Sequence, residues 1–293
     1  MPRIMRRLLL ICSVLWIFIS CGKSQSPAPV PEADCIVQST DREIFEKIKK
    51  QLGNESNLKP GDLVLKIGKF LLETPYVANT LEVGDSEKMV INLRELDCTT
   101  FAENCLALAR TFQLDNPGFE DFTSQLHFIR YRDGKRNGYP SRLHYFSDWI
   151  YNNDEKRTVK SVAQEIAHTL VPNQVNFMST HPDSYPALKK NQELIGVLAK
   201  QESTISKRMT WFIPETRIAV VENKIQDGDI LGITTNIEGM DISHVVIAVR
   251  LNGRIHFIHA SSKEMKVVIS DVTLEEYLLK SKMASGIMVA RPI

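Results

Sequence analysis

The sequence predicts an α+β fold. Three observations carry this expectation. Helical periodicity fills the first third of the chain, six strand-like segments crowd the last third, and an Asn252-Gly253 hairpin signal joins two of those segments. In the first third, Thr40 and Glu43 have capping-box spacing ahead of Ile44, Phe45, Ile48 and Leu52, which predicts a helix over about 41–52. Lys59-Pro60-Gly61-Asp62 opens a second helix, with Leu63, Ile67, Phe70 and Leu71 on one face and a stop before Pro75. Val90–Leu93 reads as a short strand. Asp97 then caps a third helix that runs to about Phe112, with Phe101, Cys105, Leu108 and Phe112 along one stripe.

Residues 113–215 are mixed. Turn signals at Asn116-Pro117-Gly118, Asp133-Gly134 and Asn137-Gly138 separate a helix expected near 158–168 from another near 186–201. The strands follow at Ile218–Glu222, Asp229–Thr234, Ser243–Leu251, Arg254–Ala260, Lys266–Ser270 and Ile287–Arg291.

The chain has 293 residues, with 36 Lys+Arg against 35 Asp+Glu and 43% hydrophobic residues. This excludes a disordered chain, a collagen-like repeat and a heptad fibre. A net charge of +1 argues against a nucleic-acid partner. Five cysteines are too few for a disulfide scaffold.

The N-terminus reads as a targeting segment. Arg3, Arg6 and Arg7 precede the apolar run Leu8–Ser20, which is shorter than the ~20 residues of a spanning helix. The run ends at Ile19-Ser20-Cys21-Gly22, with small residues around a cysteine. The pattern resembles a bacterial lipoprotein signal, which implies cleavage after residue 20 and lipid on Cys21. Such a chain would be held at a membrane surface in the cell envelope, on the periplasmic side, without spanning it. Residues 21–38 read as a flexible Pro/Ser/Ala tether, and residues 39–293 as the folded domain. Cys35, at the end of the tether, could pair with another thiol in an oxidising compartment.

The chemistry concentrates in a few segments. In Asp97-Cys98-Thr99-Thr100-Phe101 a cysteine occupies the first turn of a capped helix, where free N–H groups favour a thiolate. Alternatively, Cys98 is a small core residue, as many lone cysteines are. Cys105 is mid-helix and reads as buried filler; it lies about 10.5 Å along the helix from Cys98, too far for a disulfide. His244 opens an apolar strand after a polar loop, a place for a general base. Around Asn252-Gly253, paired residues sum to about 505. That puts His244 near position 261 or, with a bulge, 259. His256 and His259 face opposite sides of a regular strand. Each histidine alone could equally be a satisfied strand residue.

Together, Thr74-Pro75-Tyr76, Asp97-Cys98-Thr99-Thr100-Phe101, Gly228-Asp229, Ser243-His244-Val245 and His259-Ala260-Ser261 resemble, in this order, the NlpC superfamily of papain-like cell-wall cysteine hydrolases. The resemblance implies a papain-like core with an unusually long insertion at about 113–215. It implies Cys98 as nucleophile, His244 as base, His259 as the third member and Tyr76 as a hydroxyl near the thiolate. No metal or cofactor is implied. Thr100 and Val246 stand where the family has glycines, and both are expected to narrow the groove or restrict the backbone. With the insertion and the lipoprotein start, these departures look like a specialised amidase branch. That branch cleaves peptidoglycan fragments between N-acetylmuramic acid and L-alanine. In the insertion, Tyr139, Arg142, His144, Tyr145 and Trp149, with Glu82 outside it, are candidates to contact a sugar–peptide fragment, or else are loop packing.

Other readings are a stem-peptide endopeptidase, a wall-fragment-binding lipoprotein without activity, a papain-like acyltransferase and a zinc amidase. The last would need three ligands around an open site. His127, His144, His168 and His181 are scattered, and no H-E-x-x-H occurs.

Overall fold

In the computed structural model, which describes residues 27–167 and 169–293, an antiparallel sheet separates two layers of helices. The expected signal segment, Cys21 and His168 lie outside the described residues. The first layer comes from α1 (Ser39–Leu52), α2 (Pro60–Phe70), α3 (Cys98–Phe112), α4 (Phe119–Arg130) and α5 (Phe146–Glu155). A short parallel pair, β1 (Cys35–Ile36) and β2 (Met89–Val90), lies beside it. The rest of the insertion supplies β3 (Val159–Ser161), α6 (Ala163–Ala167), β4 (Thr169–Pro172), α7 (Phe177–Thr180), α8 (Pro186–Lys190), α9 (Glu193–Ile205) and β5 (Met209–Pro214). Then follow α10 (Ile218–Val221), β6 (Ile230–Thr235), β7 (Ile242–Leu251), β8 (Arg254–Ser261), β9 (Lys266–Ile269), α11 (Leu274–Lys280) and β10 (Ala284–Pro292). The sheet order is β4-β5-β10-β6-β7-β8-β9, with β3 also pairing β10.

Strand alternation divides the interior. On β7, Val245, Ile247 and Val249 face the core shared with α2 and α3, whereas Val246 and Ala248 face the core closed by α10 and α11. A third cluster, with Tyr145, Val175, Met178, Leu188 and Leu198, holds the insertion together.

Several expectations change. Residues 35–36 are a strand, and Val30, Cys35 and Val37 pack on the first core, so this stretch of the expected tether is part of the folded unit. The Cys35 thiol is free and lies 3.5 Å from the Pro31 carbonyl. The first helix is capped through Asp41, whose buried carboxylate accepts from the N–H groups of Gln38 and Leu93 at 2.9 Å each; Thr40 and Glu43 do not form the box. Ile218–Val221 is a helix, not a strand: its apolar residues Ile218 and Val221 repeat at helical spacing and cap the second core. The helix near 158–168 reduces to α6, because Val159–Ser161 pairs with β10. The helix near 186–201 is split into α8 and α9.

The first layer contains a buried ion pair. Arg130 donates from Nε to Glu103 at 2.7 Å and from a guanidinium NH to the Val90 carbonyl at 2.6 Å. Both charged side chains are enclosed, so each depends on the other. Arg130→Met should destabilise the protein by about 3–5 kcal/mol in urea unfolding, because Glu103 is left charged and unpaired. Arg130→Met/Glu103→Leu should recover most of that loss.

Candidate active site

Asp97 fixes where α3 begins. Its carboxylate accepts from the Thr100 N–H at 2.8 Å, and its own N–H donates to the Thr100 hydroxyl at 2.9 Å. This reciprocal cap puts Cys98 at the first helical position. Thr100 is thus buried in the cap and does not narrow a groove; Val246 likewise lies in the second core.

The β7–β8 ladder runs from Leu251↔Arg254 to Ile247↔Ile258 and then ends, while His259, Ala260 and Ser261 pair with β9. The expected register of the hairpin is the observed one. Where the strands part, the Val245 backbone lies near the Cys98 sulfur and favours its charged form. The thiol therefore lies against the residue next to His244. In the same gap, His244 Nε2 and His259 Nδ1 are 2.7 Å apart, and their rings meet edge to face. His256 has the opposite parity, and its Nδ1 lies 3.1 Å from the Ser270 carbonyl.

Tyr76 reaches the site through backbone pairing. Its N–H donates to the Met265 carbonyl, and Pro75 and Val77 bond Leu96, so the Pro-Tyr turn is fixed beside Asp97 and Cys98. Tyr277, which the sequence reading did not single out, approaches from α11. It packs edge-on against Phe257, which in turn packs edge-on against His259. Tyr277 lines a cleft of about 760 Å³ with His244, His259, Ser261 and Lys263. Thr273 and Glu276 form a reciprocal cap for its helix, and that spacing is visible in the sequence. Neither phenol hydroxyl has a hydrogen-bond partner among the described residues, so both are available to a ligand. Gly228-Asp229 is structural. Gly228 has φ +81°, and a Cβ there would lie 1.9 Å from the Gly61 carbonyl oxygen. Asp229 takes a two-pronged ion pair from Arg291 at 2.8 Å.

Burial dominates the electrostatics. Cys98 keeps some surface exposure, but its sulfur is enclosed. Enclosure pushes the thiol up to about 11, the Asp97 carboxylate adds to this, and hydrogen bonding with Val245 and Thr99 pulls the other way. Burial pulls His244 down to about 3, assisted by the facing His259, and pulls His259 down to about 4. The thiolate expected from the helix terminus alone is overridden by enclosure. Among the described residues, no group of three or more His, Cys, Asp or Glu is placed to hold a metal ion.

The sequence profile of the AmiA-like, N-acetylmuramoyl-L-alanine amidase-like family matches residues 66–287. The chain belongs to this amidase-like family. It is similar to an N-acetylmuramoyl-L-alanine amidase from Bacteroides uniformis, with 37% identity and TM-score 0.77, covering 80% of this chain and 98% of that one. It is also similar to a putative xylanase from Bacteroides fragilis, with 40% identity and TM-score 0.75, covering 78% and 99%. A Legionella pneumophila protein, 22% identical over 87% of this chain and 97% of its own, shares the fold at TM-score 0.63. Comparison with curated proteins finds no match.

In this member of the amidase-like family, the other candidates are engaged within the protein. Arg142 is clamped by Glu82 at 2.6 Å and Glu87 at 2.7 Å, with its guanidinium over the Tyr139 ring. It is not free to grip a carboxylate, and Glu82 is committed to it. His144 Nε2 lies 3.0 Å from the Tyr139 carbonyl, and burial holds this ring down to about 3. Tyr145 donates to Glu202 at 2.7 Å. Trp149 is stacked on Phe146 in the core. These residues form the seam that docks the insertion, so direct contact with a fragment is not what their geometry offers.

The order of these titrations gives a test. A neutral thiol beside neutral imidazoles should react slowly with iodoacetamide at pH 7. The rate should keep rising above pH 9, because raising the pH removes the thiol proton. A plateau reached below pH 7 would instead show a preformed thiolate–imidazolium pair.

Proposed function

We propose that this protein is a cysteine amidase of papain-like, NlpC type that cleaves peptidoglycan fragments between N-acetylmuramic acid and L-alanine. The carrying observation is the His244–His259 pair, 2.7 Å apart where β7 and β8 part, with the Cys98 sulfur beside the adjacent Val245, in a chain of the amidase-like family. The named activity of the Bacteroides uniformis relative supports the bond assignment. The lipoprotein-like start supports the further proposal that the enzyme is held at a membrane surface of the envelope through Cys21.

In the proposed reaction, His244 Nδ1 takes the Cys98 proton as the sulfur attacks the amide carbonyl of the muramic acid lactyl group. This requires the proton of His244 to sit on Nε2 and to be donated to His259 Nδ1. His259, held neutral, accepts it and fixes the tautomer, the third-member role. The Cys98 N–H, free at the helix start, donates to the oxyanion, with the Tyr76 hydroxyl nearby. The C–N bond breaks, and His244 returns the proton to the alanine nitrogen. The peptide leaves, and the sugar remains as a thioester on Cys98. Water then attacks, His244 takes its proton, and the free carboxylate and thiol are restored.

Mass spectrometry of muropeptides incubated with the protein should show separate sugar and intact stem-peptide products. Cys98→Ala should lower the rate by more than about 10⁴-fold, and EDTA should leave it unchanged. Cleavage within the stem would identify an endopeptidase instead, and binding without cleavage a non-catalytic lipoprotein. His259→Ala should cost about 10²–10⁴ in kcat. His256→Ala should change it little, since that ring faces away from the site.

A further inference from the structure

We propose that the cavity beneath the β6–β7 loop binds the sugar side of the substrate and accepts an uncharged glycan extending from it. This rests on the amidase reading and adds an orientation to it. The cavity has about 970 Å³, at the upper end of the ~300–1,000 Å³ of ligand pockets. Its floor is β5, β6 and β10, at Thr210, Phe212, Thr234 and Met288; its far wall is α9, at Ala199, Glu202 and Ser203. The near wall is the loop 235–241, and three residues beyond that loop the chain reaches His244.

The walls are fixed before any ligand arrives. The N–H groups of Asn176 and Phe177 both donate to the Gly239 carbonyl at 3.1 Å. Gly239 has φ +79°, and a Cβ there would lie 2.1 Å from the Asn176 side chain. Asp241 accepts from the Ser147 N–H at 2.7 Å. Loop and insertion are therefore joined across the rim.

The lining selects the ligand. Glu202, Glu215, Glu238 and Asp241 contribute carboxylates, Asn173, Gln174, Asn176 and Asn236 contribute amides, and no Lys, Arg or His among the described residues lines the cavity. One oxygen of Glu202, which is itself only 2% exposed, has no hydrogen-bond partner. Such walls repel carboxylates and suit a neutral chain rich in hydroxyls and acetamido groups. Of the two arms joined at the scissile bond, the peptide carries carboxylates and the N-acetylated sugar does not. The sugar arm belongs here. The peptide arm is left to the cleft of His244, which is less acidic: Lys263 and the hydroxyls of Ser261 and Ser262 lie there beside two carboxylates, Glu264 and Asp271. A second cavity of about 290 Å³ shares Asn173, Thr210 and Met288 with the first and continues it to Tyr151, half exposed with Arg208 against its ring. Several sugar units therefore have a continuous path.

The probe is an N-acetylglucosamine tetramer, measured by calorimetry against the full-length Cys98→Ala protein. It should bind, and at least about tenfold more tightly than the dimer, a difference of about 1.4 kcal/mol. Ser203→Trp and Ala199→Trp, at exposed positions of α9, should each weaken binding by about tenfold or more by filling the cavity. A tetramer of uronic acid should bind at least about tenfold more weakly than the neutral one. No binding of the neutral tetramer, binding untouched by both tryptophans, or displacement by a sugar-free stem peptide would overturn the assignment. Cleavage of a single-sugar muropeptide by the unsubstituted protein tests the amidase reading separately.

Discussion

The position of Cys98 depends on how α3 is held. Of its 15 residues, 13 are buried, so the helix has no solvated face along which it could slide or rotate. α2, α4 and the sheet surround it, and Glu103 meets Arg130 inside that packing. With the body fixed, the start has to be fixed as well, and Asp97 with Thr100 does this through two reciprocal bonds. The first turn is then the one part of α3 with unpaired N–H groups, and it carries the cysteine. A substituent elsewhere on the helix would be locked into core. At this end it meets the opening between β7 and β8.

Strand parity settles the rest of the site. His244 has the parity of Val246, and His259 that of Phe257, so both rings lie on the α11 side of the sheet. Continued pairing would set His244 opposite position 261. Because the ladder stops at Ile247↔Ile258 and β8 turns to β9, His259 comes within 2.7 Å instead. The departure of one strand from its neighbour thus creates both the histidine pair and the gap in which the Cys98 sulfur lies near Val245.

The sequence made the site more legible than its surroundings. The cap at Asp97, the Asn252-Gly253 turn and the opposite parities of His256 and His259 are local rules, and local rules are readable without tertiary knowledge. The α+β class and most strands of the last third follow from the same periodicities. Ile218–Val221 failed because a four-residue apolar run fits either state, and packing on the second core decides it. The periodicity does not mark α4 and α5 because their buried faces mix apolar and polar residues: Thr123, Gln125, Asp148 and Asn153 are enclosed, the last three with partners distant in sequence. For Tyr139, Arg142, His144 and Trp149 the sequence likewise does not reveal that each is engaged within the protein. Aromatic and charged residues in a loop look like ligand contacts until their internal partners, such as Glu87 for Arg142, are seen. Tyr277 was legible as a helix through its capping box but not as a neighbour of Cys98, since 179 residues separate them.

Enclosure changes what the histidine pair has to do on the proposed chemistry. A thiol held near 11 beside an imidazole held near 3 stays neutral at physiological pH, because burial opposes charge on both. The ion pair is then not a resting state that waits for any acyl group. It forms when a carbonyl at the helix start offers the negative charge a place among the Cys98 N–H and the nearby phenols. His259 cannot supply a carboxylate's charge to steady the imidazolium; a neutral ring contributes only a hydrogen bond and a fixed tautomer. Productive proton transfer therefore leans on substrate position more than on the triad itself. On the proposed orientation, the cavity whose wall loop ends three residues before His244 supplies that position.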